Sequence, residues 1–432
     1  MTSLQPYKKY YPVSYDYVQS LPDGWQLLPN IAIFEERIER KKGDFELLSI
    51  SISKGVVRQS DMDKKDISSP DKSNYKIVRN GDIAYGMEFR KGAVGFSQYE
   101  GIVSPVYTVL KPREKNSINP KFFHYVFRTE YYKNYIWRNV YGIGEHFLPC
   151  RFTHFKRMYS VVPPLEVQNS IVEYLDKKNI EIDKFIQNKE KLIELLQEQK
   201  RGKINIATTR GINDDQQLKD TGIYWLGKIP INWNVKKLKY LTKLIADGTH
   251  VTPVYVEKGF PFLRITDVEG DYINWDQVRY ISPKEHKELT KTRKGQLGDI
   301  LLSKNGTIGK VIEVTWQEEF SFFVSLCLIK FKKNILPKYF SYFFKSDIVY
   351  DQLNEGSKTT SVTNLHLEKI KELKIAFPSI EEQKVICNYL DKETTAFDIA
   401  ISKAQKEIAA IKEYREALIT DLVTGKRSIP QT

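Results

Sequence analysis

One stretch of the sequence occurs twice, with a constant interval between the copies. The first copy begins Pro163-Pro164-Leu165-Glu166-Val167-Gln168 and continues to Tyr174-Leu175-Asp176-Lys177. The second begins Pro378-Ser379-Ile380-Glu381-Glu382-Gln383 and continues to Tyr389-Leu390-Asp391-Lys392. Paired positions such as Gln168 and Gln383 are always 215 residues apart. A constant offset indicates one unit duplicated without insertions, so the fold must use the same element twice.

The duplication extends beyond these two copies. Matching pairs are Gly24-Trp25 with Asn232-Trp233, Gly81-Asp82-Ile83 with Gly298-Asp299-Ile300, and Pro120-Lys121-Phe122 with Pro337-Lys338-Tyr339. Short apolar runs bounded by glycine or proline predict strands, and the two prolines before aromatic runs predict helix starts. We therefore predict an α+β fold with an internal pseudo-twofold duplication. Two globular domains with mixed sheets, at 1–162 and 211–377, alternate with two long helices. The central long helix occupies 163–210, and the C-terminal long helix and tail occupy 378–432.

The two long helices share an apolar seam. Its positions follow one another at steps of seven, four, seven and three residues, which is typical of a coiled coil. Each helix is therefore predicted to pair with its own repeat, antiparallel, through Leu175, Ile182, Ile186, Ile193, Leu196, Leu390, Phe397, Ile401, Ile408 and Ile411. Ser379 and Glu382 predict a capping box at the second helix start, and Gly211 and Gly425 predict the helix ends. Two independent surface helices, or a coiled coil between two copies of the chain, remain open alternatives.

The charge balance favours a polyanionic partner. Lys and Arg number 67 against 54 Asp and Glu, a net charge of +13, and such an excess is typical of nucleic-acid binding. Three scattered cysteines support neither a disulfide framework nor a zinc ribbon, so we expect a reducing cytoplasm. The longest apolar run, residues 320–331, is too short to span a bilayer, and the start of the sequence carries Lys8 and Lys9 instead of an export signal.

The sequence contains none of the common catalytic or metal-binding patterns. Gly306-Thr307-Ile308-Gly309-Lys310 is too short for a phosphate-binding loop, and the six histidines have no metal spacing. The only Pro-Pro pair opens a helix and does not belong to an Asn-Pro-Pro-aromatic methyltransferase motif. We therefore predict no catalytic residue and no metal site in this chain.

Candidate DNA contacts combine basic residues with polar loops. The segment 107–160 has ten Lys or Arg against three Glu, and such residues supply affinity through phosphates, whereas base edges need polar groups on loops. Turn scaffolding is an alternative for the loop residues, and the aromatic residues of 122–135 are expected in the core. The candidates are Arg90, Lys91, Arg138, Tyr141, His146 and Arg151 in the first domain, and Thr249, His250, Thr252, Lys304, Asn305, Lys358, Thr359, Thr360 and Asn364 in the second.

The two Pro-x-x-Glu-x-Gln copies, each opening a long helix after a globular domain, resemble the conserved regions of the specificity subunit of type I restriction-modification systems. Residues 221–233 resemble the entry into a target recognition domain of that family, and Asp247-Gly248-Thr249-His250 is similar to a stretch in many members. The resemblance covers nearly the whole chain. The first domain departs from it at residues 14–20 and has no Asp-Gly-Thr-His stretch.

The resemblance implies a non-catalytic DNA-binding subunit. Each recognition domain would bind one half of a bipartite target in double-stranded DNA, and the helices would set the spacer. It also implies two methyltransferase subunits docked on the helices and additional restriction subunits. S-adenosylmethionine, ATP and Mg²⁺ would then belong to those partners and not to this chain. The specificity half of a nuclease-methyltransferase outside type I, or a structural coiled-coil protein, are the alternatives.

Overall fold

The chain forms two compact units that interrupt one another in sequence. The computed structural model describes residues 4–15, 18–40, 44–52, 54–62, 68–114, 116–140, 150–213, 215–305, 309–354 and 365–429. Unit 1 comprises residues 1–189 and 406–432, and unit 2 comprises residues 190–405. Both unit boundaries fall inside long helices, so each long helix contributes one half to each unit.

Unit 1 combines short strands with helices at the C-terminal part of its globular domain. Its strands are β1 (Tyr10–Tyr15), β2 (Val18–Pro22), β3 (Gln26–Pro29), β4 (Phe34–Glu36), β5 (Leu48–Ser51), β6 (Gly55–Arg58), β7 (Lys76–Val78), β8 (Ile83–Tyr85), β9 (Val94–Phe96), β10 (Gly101–Val103), β11 (Thr108–Pro112) and β12 (Tyr159–Val162). Its helices are α1 (Asn30–Ile33), α2 (Pro120–Arg128), α3 (Glu130–Asn139) and α4 (Phe152–Phe155). The first long helix, α5 (Leu165–Thr209), follows β12.

Unit 2 has a corresponding set of elements. Its strands are β13 (Leu218–Asp220), β14 (Lys228–Pro230), β15 (Asn234–Lys237), β16 (Thr242–Asp247), β17 (Tyr255–Val256), β18 (Phe260–Leu263), β19 (Val268–Glu269), β20 (Tyr272–Ile273), β21 (Arg279–Ile281), β22 (Ile300–Ser303), β23 (Val311–Glu313), β24 (Ser321–Phe322), β25 (Leu326–Phe331) and β26 (Lys374–Phe377). Its helices are α6 (Leu238–Leu241), α7 (Pro283–Thr290), α8 (Pro337–Phe344), α9 (Asp347–Asn354) and α10 (Leu367–Glu372), followed by the second long helix, α11 (Ile380–Val423).

The central sheet is the same in both units. Unit 1 orders it β4-β11-β8-β9 and unit 2 orders it β16-β25-β22-β23, with every neighbouring pair antiparallel. A second match is the pair β12-β3 in unit 1 and β26-β15 in unit 2, which joins the third and the last strand of each globular domain. The predicted α+β duplication is therefore confirmed.

The two units differ at the outer part of each globular domain. Unit 1 has the hairpin β5-β6 and the pair β10-β7, whereas unit 2 has a four-stranded sheet ordered β17-β21-β18-β24. In that sheet β18 pairs antiparallel with β21 and parallel with β24. A shared frame thus supports two different outer surfaces.

The hydrophobic cores join each globular domain to the long helices. In unit 1 the core around Trp25 and Phe127 includes Leu175 of α5 and Leu422 of α11. In unit 2 the core around Trp233 includes Ile204 of α5 and Leu390 of α11. Because the cores are continuous, neither globular domain buries its apolar surface without the helices.

The helices α5 and α11 run antiparallel within each unit. In unit 1 Arg415 forms an ion pair with Asp183, and Lys189 lies 2.6 Å from Glu407. In unit 2 the Lys200 ammonium lies 2.6 Å from the Asp398 carboxylate, and Lys203 pairs with Glu393 at 3.4 Å. The partner number falls as the residue number rises, which confirms antiparallel pairing of each helix with its repeat.

The predicted seam residues lie at the interior side of the helices. Leu175, Ile182, Ile186 and Leu390 are buried, and Ile193, Leu196, Phe397, Ile401, Ile408 and Ile411 are half-buried. The seam also contains small or polar buried residues that the apolar pattern did not predict, among them Thr394 and Ala404. None of the described helices is both long and apolar enough to cross a membrane.

Both long helices end in the same way. Gly211 and Gly425 each have a φ of 75° just past the last helical turn, a conformation that favours glycine. A Cβ added to Gly425 would lie 2.6 Å from the Pro22 ring, which also excludes larger residues there. At the start of α11 the Ser379 hydroxyl accepts the Glu382 N–H at 3.3 Å, but the Glu382 carboxylate accepts the Trp233 indole N–H at 3.0 Å. The predicted capping box is therefore only half formed.

The segment after α11 completes unit 1. The Ser428 N–H donates to the Gln5 carbonyl at 2.6 Å, and the Arg427 guanidinium donates to the Leu4 carbonyl at 3.0 Å. Tyr10 donates its hydroxyl to the Gly425 carbonyl at 3.0 Å. These hydrogen bonds therefore join residues 4–10 to residues 425–428 within unit 1.

Two side chains of the repeated motif anchor each globular domain to its long helix, and we call each set of contacts the anchor. The amide of Gln168 accepts the Asn119 N–H at 2.8 Å and donates to the carbonyls of Ser117 and Pro163. Two helical turns later, Asp176 accepts from the Lys121 ammonium and the Tyr125 hydroxyl, both at 2.6 Å. These contacts bind the start of α2 to α5.

The anchor recurs in unit 2 with almost the same distances. The Gln383 amide accepts the Leu336 N–H at 2.8 Å and donates to the carbonyls of Asn334 and Pro378, both at 3.0 Å. Asp391 accepts from Lys338 at 2.6 Å and Tyr342 at 2.7 Å. Gln168 and Gln383 are both fully buried. The repeated Gln and Asp therefore have a structural role in fixing each domain on its helix.

Replacing Gln383 by Ala is expected to destabilise unit 2 by about 3 to 5 kcal/mol, because one N–H and two carbonyls lose their partners in a buried site. Hydrogen exchange of the backbone amides of α8 and β26 measures the effect. The control is Glu381→Ala, an exposed position on the same helical turn, which we expect to change stability by less than about 0.5 kcal/mol. Equal protection in both variants would contradict a structural role for Gln383.

Candidate nucleic-acid interface

The loop from Asp247 to Pro253 in unit 2 is held at its base by two cations. The Arg293 guanidinium donates to the backbone carbonyls of Asp247 at 2.7 Å and Gly248 at 3.1 Å. The Lys304 ammonium lies 2.8 Å from the Asp247 carboxylate, and both side chains are largely buried. A loop whose base is fixed in this way presents its tip in a defined conformation.

The tip of that loop carries three predicted DNA contacts. His250 and Thr252 are exposed, and Thr249 is half-buried. The Thr249 hydroxyl donates to the Val251 carbonyl and accepts the Val251 N–H, both at 3.2 Å. Thr249 therefore shapes the turn, as the scaffolding alternative predicted, while His250 and Thr252 face solvent with polar groups.

Lys304 differs from the other candidates because it is buried. Only 5% of the residue is exposed, and its ammonium would have to leave Asp247 before it could contact a phosphate. Its backbone holds two further segments, since its N–H donates to the Ser325 carbonyl and its carbonyl accepts the Leu365 N–H at 2.8 Å. In this structure Lys304 contacts Ser325, just before β25, the Asp247 loop and Leu365. Burial of a paired lysine in a strand end is not visible in a sequence pattern.

Asn305 lies next to Lys304 and has an unsatisfied side chain. Its Oδ1 atom is buried without a hydrogen-bond partner among the described residues, and the same holds for Oδ1 of Asp247. Buried acceptors without partners are uncommon in folded proteins. Two of them beside one loop mark a place where an additional donor would be favourable.

In unit 1 two predicted contacts meet at the end of α3. The Arg90 guanidinium lies 4.7 Å from the ring centroid of Trp137, and Arg138 is the next residue along the helix. Trp137 is 56% exposed although it is a large aromatic residue. Arg138 also lines a cavity of about 440 Å³ whose wall includes Lys426 and Asn134. An exposed tryptophan with an arginine over its ring suits a nucleic-acid surface.

The remaining candidates of unit 1 are less informative. Lys91 is exposed and forms an ion pair with Glu88 at 2.7 Å. Arg151 is exposed, and its side chain has no hydrogen bond or ion pair among the described residues. Six candidates lie outside the described residues: Tyr141, His146, Lys358, Thr359, Thr360 and Asn364. For these the prediction stands as made.

Part of the positive charge of the segment 107–160 is used inside unit 1. Arg128 donates to the carbonyls of Gly92, Val94 and Ile52, and burial lowers the pKa of its guanidinium. Ion pairs occupy three lysines of the segment, Lys111, Lys121 and Lys133. Formal charge therefore overestimated the basic surface, because it does not distinguish exposed cations from those that hold the fold. The aromatic residues of α2 belong to the core, as predicted.

Sequence analysis missed three arginines of unit 2. Arg293 holds the Asp247 loop, Arg264 is bound by the buried carboxylate of Asp267, and Arg279 lies 4.8 Å from the ring centroid of Tyr255. For Arg279 the sequence offered one signal, the alternation of apolar and polar side chains at the start of β21. Exposed Arg279 lies between buried Val278 and half-buried Tyr280. An outward arginine in a short strand is a weak pattern when the sheet is unknown.

Replacing Lys304 by Met is expected to destabilise unit 2 by about 3 kcal/mol, since the Asp247 carboxylate stays largely buried without its partner. Thermal unfolding measures this loss. The matched variant Lys304→Met with Asp247→Leu removes both charges and should recover most of the stability. If the double variant is as unstable as the single one, the ion pair is not the source of the effect.

The sequence profile of the family described as Type I restriction modification DNA specificity domain matches residues 30–198 and 230–413. Each matched region contains most of one globular domain and part of one long helix. The chain is 27% identical over 380 residues to the putative type I restriction enzyme MjaX specificity subunit of Methanocaldococcus jannaschii, covering 84% of this chain and 82% of that protein. It is 22% identical over 435 residues to the EcoKI specificity subunit of Escherichia coli K12, covering 94% and 90%.

Two solved structures resemble the fold. One chain from a structure concerned with complex assembly and conformational transition of the type I R-M system superposes with a TM-score of 0.71 at 14% identity, covering 93% of this chain and 98% of that one. The HsdS subunit from Thermoanaerobacter tengcongensis gives a TM-score of 0.54 at 16% identity, covering 96% and 99%. At these identities the likeness concerns the fold alone.

Proposed function

Because the chain belongs to the family of type I restriction modification DNA specificity domains, we propose that it supplies DNA sequence specificity to a type I restriction-modification complex. Each globular domain binds one half of a bipartite target. One observation carries this proposal: the same anchor, Gln168 with Asp176 and Gln383 with Asp391, fixes two globular domains whose outer sheets differ. A common attachment with different outer surfaces is what two different half-sites require.

The long helices set the number of unspecified base pairs between the half-sites. α5 has 45 residues, which corresponds to roughly 65 Å of helix. Half-site separation is a geometric quantity in proteins that contact DNA through two linked modules. The continuous core between each domain and its helices supports this role, because it prevents free rotation of the domain on its helix.

Two methyltransferase subunits dock on the helices, and restriction subunits join the complex. Large apolar side chains are exposed on the helices: Ile180, Phe185 and Tyr414 in unit 1, and Leu192, Leu195 and Ile399 in unit 2. These side chains are available for a protein contact along the helices. S-adenosylmethionine, ATP and Mg²⁺ then act on the partner subunits, in the cytoplasm, and this chain is the non-catalytic member. Among the described residues, no group of His, Cys, Asp and Glu side chains is placed to hold a metal ion.

Methylome sequencing of cells that express the chain with its cognate methyltransferase tests the proposal. We expect one bipartite adenine-methylated motif with a fixed spacer, absent from cells that express the methyltransferase alone. A continuous motif, or no motif, would reject the assignment. Restriction of unmethylated phage DNA after addition of the restriction subunit distinguishes a type I complex from a nuclease-methyltransferase of another type.

A further inference from the structure

The second globular domain, residues 211–377, contains three arginines, and two of them are bound within the protein. Arg264 makes hydrogen bonds of 3.1 and 2.5 Å to the buried carboxylate of Asp267. Arg293 donates to backbone carbonyls at the base of the Asp247 loop. Arg279 differs from both, because among the described residues its guanidinium has neither an acidic partner nor a hydrogen bond.

Arg279 is presented by a strand and held against an aromatic ring. It is exposed at the start of β21, where the adjacent Val278 is buried and Ile281 is fully buried. Its guanidinium carbon lies 4.8 Å from the ring centroid of Tyr255, and that of Arg264 lies 5.9 Å from the same ring. An aromatic face restricts the motion of a guanidinium without occupying its N–H donors.

The surface around Arg279 is continuous with the Asp247 loop. Pro253 lies two residues before Tyr255, and β17, which begins there, pairs with β21. On the far side of the same sheet, Thr249 forms a bridge with Phe323, whose N–H donates to the Leu263 carbonyl of β18 at 2.9 Å. The exposed His250 and Thr252 therefore belong to the loop that leads into the Tyr255 strand.

We propose that Arg279, held against Tyr255, is a specificity-determining residue of the second domain and recognises a guanine through its O6 and N7 atoms. This inference rests on the proposed function. Arginine binds these two acceptors with two parallel N–H donors, which is the commonest specific contact in the major groove. A phosphate also accepts from arginine, but it carries no sequence information. Replacing Arg279 distinguishes the two contacts, because loss of a guanine contact changes base preference and loss of a phosphate contact does not.

The experiment uses the complete methyltransferase complex and the motif determined for the wild-type chain. Arg279→Ala is expected to lower the preference for guanine at one position of one half-site by roughly five- to 150-fold, leaving the other half-site unchanged. Arg279→Lys keeps the charge and can still donate to guanine but lacks the planar pair of donors, so it should lose part of the preference, less than Arg279→Ala, with little change in salt dependence. Methylation rates on duplexes that differ only at that position give the ratio. If methylation falls below detection, competition binding of the same duplexes gives it.

Three matched variants complete the test. Tyr255→Phe keeps the aromatic face and should retain the guanine preference, whereas Tyr255→Leu should reduce it. Lys258→Ala removes an exposed positive charge between β17 and β18 and should leave all base preferences unchanged. Melting temperatures of all variants exclude unfolding as the cause.

Each outcome decides a different statement. No motif for the wild-type chain rejects the proposed function and this inference together. With a wild-type motif present, unchanged base preference in Arg279→Ala, or a uniform loss of affinity, rejects only the assignment of Arg279. A half-site of the second domain without any G·C pair rejects it equally.

Discussion

Seven residues inserted after Lys189 and seven more after Gln405 are expected to lengthen the spacer of the DNA target by about three base pairs, with both half-site sequences unchanged. A heptad adds about 10 Å to each helix, and B-DNA rises by about 3.4 Å per base pair. Seven residues also keep the apolar seam in register, because the coiled-coil repeat has that length. Methylome sequencing of the variant measures the spacer directly.

The structure identifies where such an insertion disturbs least. The boundaries between the compact units fall between Lys189 and Glu190 in α5 and between Gln405 and Lys406 in α11. Pairs within unit 1, such as Lys189 with Glu407, and within unit 2, such as Lys200 with Asp398, keep their partners when both helices are extended. The control is the insertion in α5 alone, which shifts one helix against the other and should abolish methylation. An unchanged spacer in the double insertion would contradict the role of the helices in spacing.

Exchange of residues 222–376 for the corresponding segment of another family member is expected to change one half of the motif completely and leave the other half and the spacer as they were. The exchanged segment carries the outer sheet of unit 2 and the Asp247 loop. The long helices and all residues of unit 1 remain. Methylome sequencing of the chimera is the measurement, and a change in both half-sites would contradict independent recognition by the two domains.

A donor segment is suitable for this exchange only if it keeps the residues that contact α11. Lys338 and Tyr342 must be retained because Asp391 of α11 accepts from both. Trp233 must be retained because its indole donates to Glu382. The matched control is Tyr342→Phe in the original chain, which removes one of these hydrogen bonds. It should lower the stability of unit 2 by about 1 kcal/mol without changing the motif.

Much of the architecture could be predicted because it depends on repetition and on local signals. The constant offset between Gln168 and Gln383 indicated the duplication, and Pro120 and Pro337 predicted the starts of α2 and α8. The heptad-like steps predicted the pairing of the long helices. Three of the four strands of each central sheet were also predicted, since each is a short apolar run between glycine or proline turns, whereas β4 and β16 were not. These signals are local, and the repeat showed that each applies twice.

The site was less predictable because it depends on which Lys and Arg side chains are already bound to groups within the protein. Lys304 and Arg128 look like surface charges in the sequence, yet one is buried against Asp247 and the other holds three backbone carbonyls. Arg279 looks unremarkable in a strand, and only the pairing of β17 with β21 places it beside Tyr255. The repetition of the Gln and Asp could be seen in the sequence, but their structural role could not, because their partners are distant in sequence.

The interrupted order of the two units has a consequence for synthesis on the ribosome. Unit 2 consists of residues 190–405, all of which are translated before residues 406–429, whereas unit 1 needs Leu418, Leu422 and the Ser428 contact with Gln5. Domains fold as their residues emerge, so the second unit can reach its final structure while the first still lacks part of its core. During that interval the apolar residues of α5 around Leu175 have no helix to cover them, which makes nascent unit 1 the part of the chain most exposed to premature association.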